Sequence, residues 1–108
     1  MAFLKSARSV ETITEIGYHR CDSGLYLQVA RSGTKSWIFR YKSPVQAKQR
    51  EMGLGSLNIV TLAMARNMAV DYRLQLLKEL DPLEERVRIK QEKLMEQATV
   101  LIKDQRLN

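Results

Sequence analysis

Residues Arg31–Arg50 read RSGTKSWIFRYKSPVQAKQR, and the reading of this stretch decides the fold. Trp37, Phe39 and Tyr41 alternate with Ile38, Arg40 and Lys42, and a period of two is the mark of a strand with one buried face. Six basic residues (Arg31, Lys35, Arg40, Lys42, Lys48, Arg50) and no acid share the stretch. One face therefore reads as core. The other is cationic and suits a polyanion better than a small substrate.

Working outward, Leu25-Tyr26-Leu27-Gln28-Val29-Ala30 alternates in the same way, with Leu25, Leu27 and Val29 on one face. Between the two runs lies Arg31-Ser32-Gly33-Thr34, whose glycine suits a positive φ, so the runs are expected to pair as a hairpin. If the aromatics join Leu25, Leu27 and Val29 inside, then Tyr26, Gln28, Ser36, Ile38, Arg40 and Lys42 share the outer face. Ser43 to Lys48, with Pro44, is a connection. Gln49 to Leu54 is a third strand in which Arg50, Met52 and Leu54 alternate against Gln49, Glu51 and Gly53, which points Arg50 inward. Gly53-Leu54-Gly55-Ser56 reads as a glycine-rich exit turn and lacks the third glycine of a dinucleotide fingerprint.

Upstream, Phe3, Leu4, Ala7, Val10 and Ile13 recur at helical spacing and predict a short helix over Phe3 to Ile13. Tyr18-His19-Arg20 reads as a short edge strand ahead of the turn Asp22-Ser23-Gly24. Downstream, Thr61 is the expected N-cap of a helix whose stripe is Leu62, Ala65, Ala69, Tyr72, Leu76 and Leu80. That stripe is expected to cover the inner face of the sheet. Asp81-Pro82 should end the helix and start another, with Asp81 as cap, Pro82 at the first position and Glu84 completing an acidic capping box. Leu83, Val87, Leu94, Ala98 and Leu101 are spread among many charges, so this last helix is under-packed by the chain itself.

The fold expected is α+β: a three- to four-stranded antiparallel sheet packed on one face by an α-helix, with a short N-terminal helix and a C-terminal linker helix. Residues 1–81 form the domain and 82–108 the C-terminal helix or linker. At 108 residues the chain has room for one modest core. Its net charge of +6 is concentrated in the first half: Met1 to Asn58 holds nine basic and four acidic residues, and Ile59 to Asn108 nine and eight. Cys21 is the single cysteine, so no internal disulfide forms, as suits a reducing cytoplasm. No stretch reaches the roughly 18 apolar residues of a membrane span, and the start lacks a signal-peptide run, so a soluble cytoplasmic protein with no membrane partner is expected.

Three catalytic or ligand-binding readings fall away. His19 and Cys21 have a His-x-Cys spacing but no further cysteine or histidine to complete a metal site. Trp37, Phe39 and Tyr41 as a stacking platform for single-stranded bases is outweighed by their phase with Leu25, Leu27 and Val29, which makes them core. A tyrosine nucleophile needs an activating cationic pocket, which the family resemblance described below assigns to a separate carboxy-terminal domain. No cofactor is implied.

The order of motifs resembles the amino-terminal arm-type DNA-binding domain of phage and prophage integrases in the tyrosine-recombinase family. Asp22-Ser23-Gly24-Leu25-Tyr26-Leu27-Gln28-Val29 resembles the family's Leu-Tyr-Leu strand. Ser32-Gly33-Thr34-Lys35-Ser36-Trp37-Ile38-Phe39-Arg40-Tyr41 resembles its hairpin and aromatic strand. Glu51-Met52-Gly53-Leu54-Gly55-Ser56, Leu62-Ala63-Met64-Ala65-Arg66 and Asp81-Pro82 resemble its exit strand, helix opening and helix break. The resemblance implies a sheet laid in the major groove of arm-type sites in double-stranded DNA, catalysis in a separate carboxy-terminal domain, and other integrase protomers or accessory DNA-bending proteins as further partners. Side-chain chemistry then makes Gln28 and Arg40 the base readers, with Tyr26, Ser36, Ile38 and Gln49 beside them. Arg31, Lys35, Lys42, Lys48 and Arg50 are the expected phosphate contacts. The rival readings are a protein-interaction module built on the Leu83 to Asn108 helix and a stand-alone small DNA-binding regulator.

Overall fold

A computed structural model of the chain describes residues 4–106; Phe3 and the side chain of Leu101, counted above on apolar stripes, lie outside the described residues. The elements run α1 (Ala7–Thr12), β1 (Gly17–Asp22), β2 (Leu25–Val29), β3 (Lys35–Lys42), β4 (Gln49–Ser56), α2 (Leu62–Leu77) and α3 (Pro82–Arg106). The strands form one antiparallel sheet in the order β1-β2-β3-β4. This is the α+β architecture expected, with four strands.

The expected hairpin is present, with Leu25 opposite Phe39 and Leu27 opposite Trp37. Gly33 takes φ +87° in its turn. Leu25, Leu27, Trp37 and Phe39 are almost wholly buried, joined by Val29, Tyr41, Met52 and Leu54. Over them lies α2, contributing Leu62, Ala65 and Ala69, small enough at the last two positions to bring helix and sheet close. The Trp37 indole donates to the Val60 carbonyl at 2.7 Å, so its one polar atom is satisfied inside. At the β1–β2 turn, Gly24 takes φ +75°, and a Cβ there would lie 2.9 Å from both the Arg40 carbonyl oxygen and the Phe39 ring.

Several local expectations are corrected. α1 begins at Ala7, not near Phe3, because the Ser6 hydroxyl accepts from the Ser9 amide and the Ser9 hydroxyl answers the Ser6 amide. Leu4 is buried but precedes the helix, with its amide on the Arg20 carbonyl at the sheet edge, and Ala7 is exposed. Gly53-Leu54-Gly55-Ser56 is no turn: it continues β4, and Leu54 is the extra residue of a bulge, since Trp37 pairs with Gly55 and Ile38 with Gly53.

α2 ends at Leu77, four residues before Asp81. Glu79 takes φ +61°, its amide donates to the Leu76 carbonyl and the Leu80 amide to the Gln75 carbonyl. That is a Schellman termination with glutamate where glycine is usual, and it leaves Leu80 beyond the helix and exposed. Asp81 does cap α3, accepting the Leu83 amide at 2.9 Å. The capping box is incomplete, because the Glu84 carboxylate instead accepts from the Gln46 side chain at 3.0 Å.

α3 is 25 residues long and gives the molecule its 60 Å length. Val87, Leu94 and Val100 along it are more than half exposed, as its sequence predicts. No helix among the described residues is long and apolar enough to cross a membrane.

Candidate nucleic-acid interface

The face of the sheet opposite α2 is built from the outward positions of all four strands. Register places Tyr18 opposite Gln28, Arg20 opposite Tyr26, Tyr26 opposite Ile38, Gln28 opposite Ser36, Arg40 opposite Glu51 and Lys42 opposite Gln49. The expected outer set of Tyr26, Gln28, Ser36, Ile38, Arg40, Lys42 and Gln49 is thus assembled on one surface. From Lys35 to Lys42 the eight-residue strand β3 spans about 24 Å.

At the centre is a cluster to which each strand contributes one side chain: Tyr18 from β1, Tyr26 from β2, Arg40 from β3 and Glu51 from β4. The Arg40 guanidinium carbon lies 5.3 Å from the centre of the Tyr26 ring and 5.8 Å from that of Tyr18, within cation–π range. Its Nε is 3.0 Å from Glu51 Oε1, an ion pair whose angle falls short of a hydrogen bond. The other Glu51 oxygen, Oε2, accepts from the Tyr18 hydroxyl at 3.1 Å. Partial burial and this carboxylate together push the Tyr18 hydroxyl above its usual pKa.

Towards the β3–β4 end, Arg20, Tyr26, Arg40, Lys42, Lys48 and Gln49 line an open groove of about 580 Å³. Four of the lining side chains are cationic and none is acidic. Lys42 and Lys48 are exposed. Arg31 is exposed at the opposite end, in the β2–β3 turn.

Two of the expected phosphate contacts have internal partners. Lys35 Nζ donates to the Val10 and Glu11 carbonyls at 3.0 and 2.6 Å, tying the end of α1 to the sheet. Arg50 faces inward, as its phase in β4 predicts, and its Nη1 lies 3.1 Å from Asp81 Oδ2. Asp81 is fully buried and also accepts from the Tyr41 hydroxyl at 2.5 Å and the Ser43 hydroxyl at 2.6 Å. Burial alone would raise its pKa, but the bonds from Ser43, Tyr41 and Arg50 outweigh that and hold it at about 2. Burial and the same carboxylate raise Tyr41 to about 12.

Tyr18, Arg20 and Glu51 join the face without having been singled out in the sequence. Their signal was alternation: His19 and Cys21 are buried, which turns Tyr18 and Arg20 outward, and Glu51 alternates with buried Met52. His19 and Cys21 are placed as core. The His19 Nε2 is 2.7 Å from the Glu15 carbonyl oxygen, and burial raises the Cys21 thiol to about 11. Among the described residues no cluster of potential metal ligands occurs.

Residues 3–89 match the arm DNA-binding domain family. The chain belongs to that family. The arm domain is 36% identical over 72 residues to the prophage integrase IntA of Escherichia coli K12, an alignment covering 64% of this chain and 17% of the relative. It is 35% identical over 80 residues to the integrase of Enterobacteria phage P4, covering 71% of this chain and 18% of the relative. The arm domain thus spans less than a fifth of the length of these curated relatives. Its family supports a role in DNA binding.

Proposed function

We propose that this arm domain binds double-stranded DNA sequence-specifically by laying its outer sheet face in the major groove of arm-type sites, so positioning a tyrosine-type integrase for recombination. The observation that carries the reading is the outer face itself: aromatic and polar side chains at its centre, cations at both ends, on a sheet whose other face is fully covered. A ribbon of strands fits the roughly 12 Å major groove. Arg40 and Gln28 carry the donor patterns that match guanine and adenine edges, with Tyr26, Ser36, Ile38 and Gln49 beside them. Arg31, Lys42 and Lys48 join Arg20 on the phosphates. Lys35 and Arg50 hold the fold in the free chain. Strand cleavage belongs to a separate catalytic domain of the parent enzyme, and integrase protomers or DNA-bending proteins act beside it.

Four phosphate contacts predict a log-log salt slope of roughly −4. Fluorescence anisotropy of a labelled duplex carrying the attachment flank of the parent element, titrated between low and physiological salt, measures it. Arg40→Ala should cost roughly 1–3 kcal/mol on that duplex and much less on an unrelated one. Binding that is absent at low salt, or that does not respond to salt, overturns the proposal. The rival reading, a partner helix docking on the exposed apolar positions of α3, predicts that the salt slope is flat and that removing the outer-face cations changes nothing.

A further inference from the structure

We infer that Glu51 is a positioning and specificity-determining residue: its carboxylate holds the Arg40 guanidinium in one orientation, with the terminal nitrogens turned outward to read a guanine. The inference rests on the DNA-binding reading above and deepens it. An acid in the middle of a DNA-facing surface opposes phosphate attraction, so its place there asks for a compensating effect. Glu51 sits directly opposite Arg40 in the β3–β4 register, which fixes the pair by backbone geometry. Arg40 Nε lies 3.0 Å from Glu51 Oε1 and is itself buried.

That choice of nitrogen decides what Arg40 can do. An arginine can present two parallel N–H groups either along its side, through Nε and one terminal nitrogen, or end-on through both terminal nitrogens. With Nε buried beside a carboxylate, the end-on fork is the one available for guanine O6 and N7. Among the described residues the structure gives Arg40 one carboxylate, and this is it. The tyrosines complete the clamp. Tyr26 and Tyr18 flank the guanidinium, and the Tyr18 hydroxyl donates to Glu51 Oε2, so neither carboxylate oxygen is left to swing elsewhere. Arg40 is only about one-third exposed, so the side chain is already ordered before DNA arrives. Ordering a long side chain in advance removes part of the entropy cost of the contact and narrows the geometries in which it forms. Glu51 thereby weakens binding to DNA in general and sharpens binding to one base pair.

The test uses the full chain and a pool of duplexes with a randomised centre, selected and sequenced, with the unaltered protein, Arg40→Ala, Glu51→Ala, Glu51→Gln and Tyr18→Phe in parallel. The unaltered chain should show a guanine preference that Arg40→Ala abolishes, which assigns that base pair to Arg40. Glu51→Ala should lower the preference at the same base pair roughly tenfold, leave the other positions as they were, and raise affinity for the unselected pool. Glu51→Gln and Tyr18→Phe should fall in between. Unaltered preference in Glu51→Ala overturns the inference, and so does a sharper one, which would mean that the carboxylate competes with the base. A change confined to a neighbouring base pair also overturns it, making Glu51 a direct reader of cytosine. All these outcomes leave DNA binding standing; failure of the unaltered chain to bind any duplex sinks both readings. Thermal unfolding of Glu51→Ala close to that of the unaltered chain separates the effect from loss of fold.

Discussion

Replacing Asp81 by asparagine should destabilise the fold more than any change on the outer face of the sheet. The buried carboxylate takes hydrogen bonds from the Tyr41 and Ser43 hydroxyls, the Leu83 amide and the Arg50 guanidinium. Asparagine keeps the shape but removes the charge, and its amide nitrogen must face a donor on one side. Losing one partner of a buried ion pair costs about 3–5 kcal/mol. The Arg50 side chain is 25% exposed and can recover some water, which brings the expectation to roughly 3 kcal/mol. For a domain of this size that corresponds to a fall in Tm of the order of 10–20 °C. Circular dichroism during thermal and urea unfolding measures both quantities.

The same group supplies a pH signature. Its pKa falls from 3.8 in the unfolded chain to about 2 in the fold. A depressed carboxyl stabilises the fold above its unfolded value and loses that contribution as pH drops through the folded one. The unaltered chain should therefore lose roughly 2 kcal/mol between about pH 4 and pH 2 that Asp81→Asn does not lose. The difference between the two proteins isolates Asp81 from the other carboxylates. A variant within 1 kcal/mol of the parent at pH 7, or one with the same acid profile, would refute the reasoning.

Lys35→Met should cost about 1 kcal/mol by releasing the end of α1, visible as faster amide exchange over residues 7–12, while the salt slope of DNA binding stays unchanged. An altered slope would return Lys35 to the phosphate contacts. Glu79→Gly should stabilise the fold by roughly 0.5–1 kcal/mol, because the residue already holds φ +61° in a Schellman turn; urea unfolding detects this as a higher midpoint. Gly24→Ala should cost at least about 2 kcal/mol in the same assay, since φ is +75° and the added Cβ meets the Arg40 carbonyl oxygen and the Phe39 ring at 2.9 Å.

What the sequence made legible was whatever local pattern controls. Alternation in Leu25–Val29 and Lys35–Lys42 gave the hairpin, its register and the inward aromatics, and Thr61 and Asp81 marked two helix starts. It failed where an unusual residue does a usual job. Glu79 at a left-handed position carries no signal that a glycine would have carried, and the bulge at Leu54 hides between two glycines that suggest a turn. Residue partners were the least legible. Lys35 reaches carbonyls 24 and 25 residues away and Arg50 a carboxylate 31 residues away, and basic composition cannot distinguish such internal ties from a free phosphate contact.

The internal ties of the basic stretch also connect its two functions. Ser43 bonds Asp81 through its hydroxyl and accepts the Val45 and Gln46 amides, so the buried carboxylate shapes the β3–β4 connection. Gln46 in that connection donates to Glu84 at the start of α3. Lys48, at the end of the same connection, lines the cationic groove with Lys42 and Arg40. The loop that carries this groove lysine is therefore fastened to the residue that starts the long helix. The direction in which α3 leaves the domain is set relative to the outer sheet face by Asp81, with Arg50 serving the charge balance of that joint from within. A basic residue turned inward here orients the cationic face from beneath it.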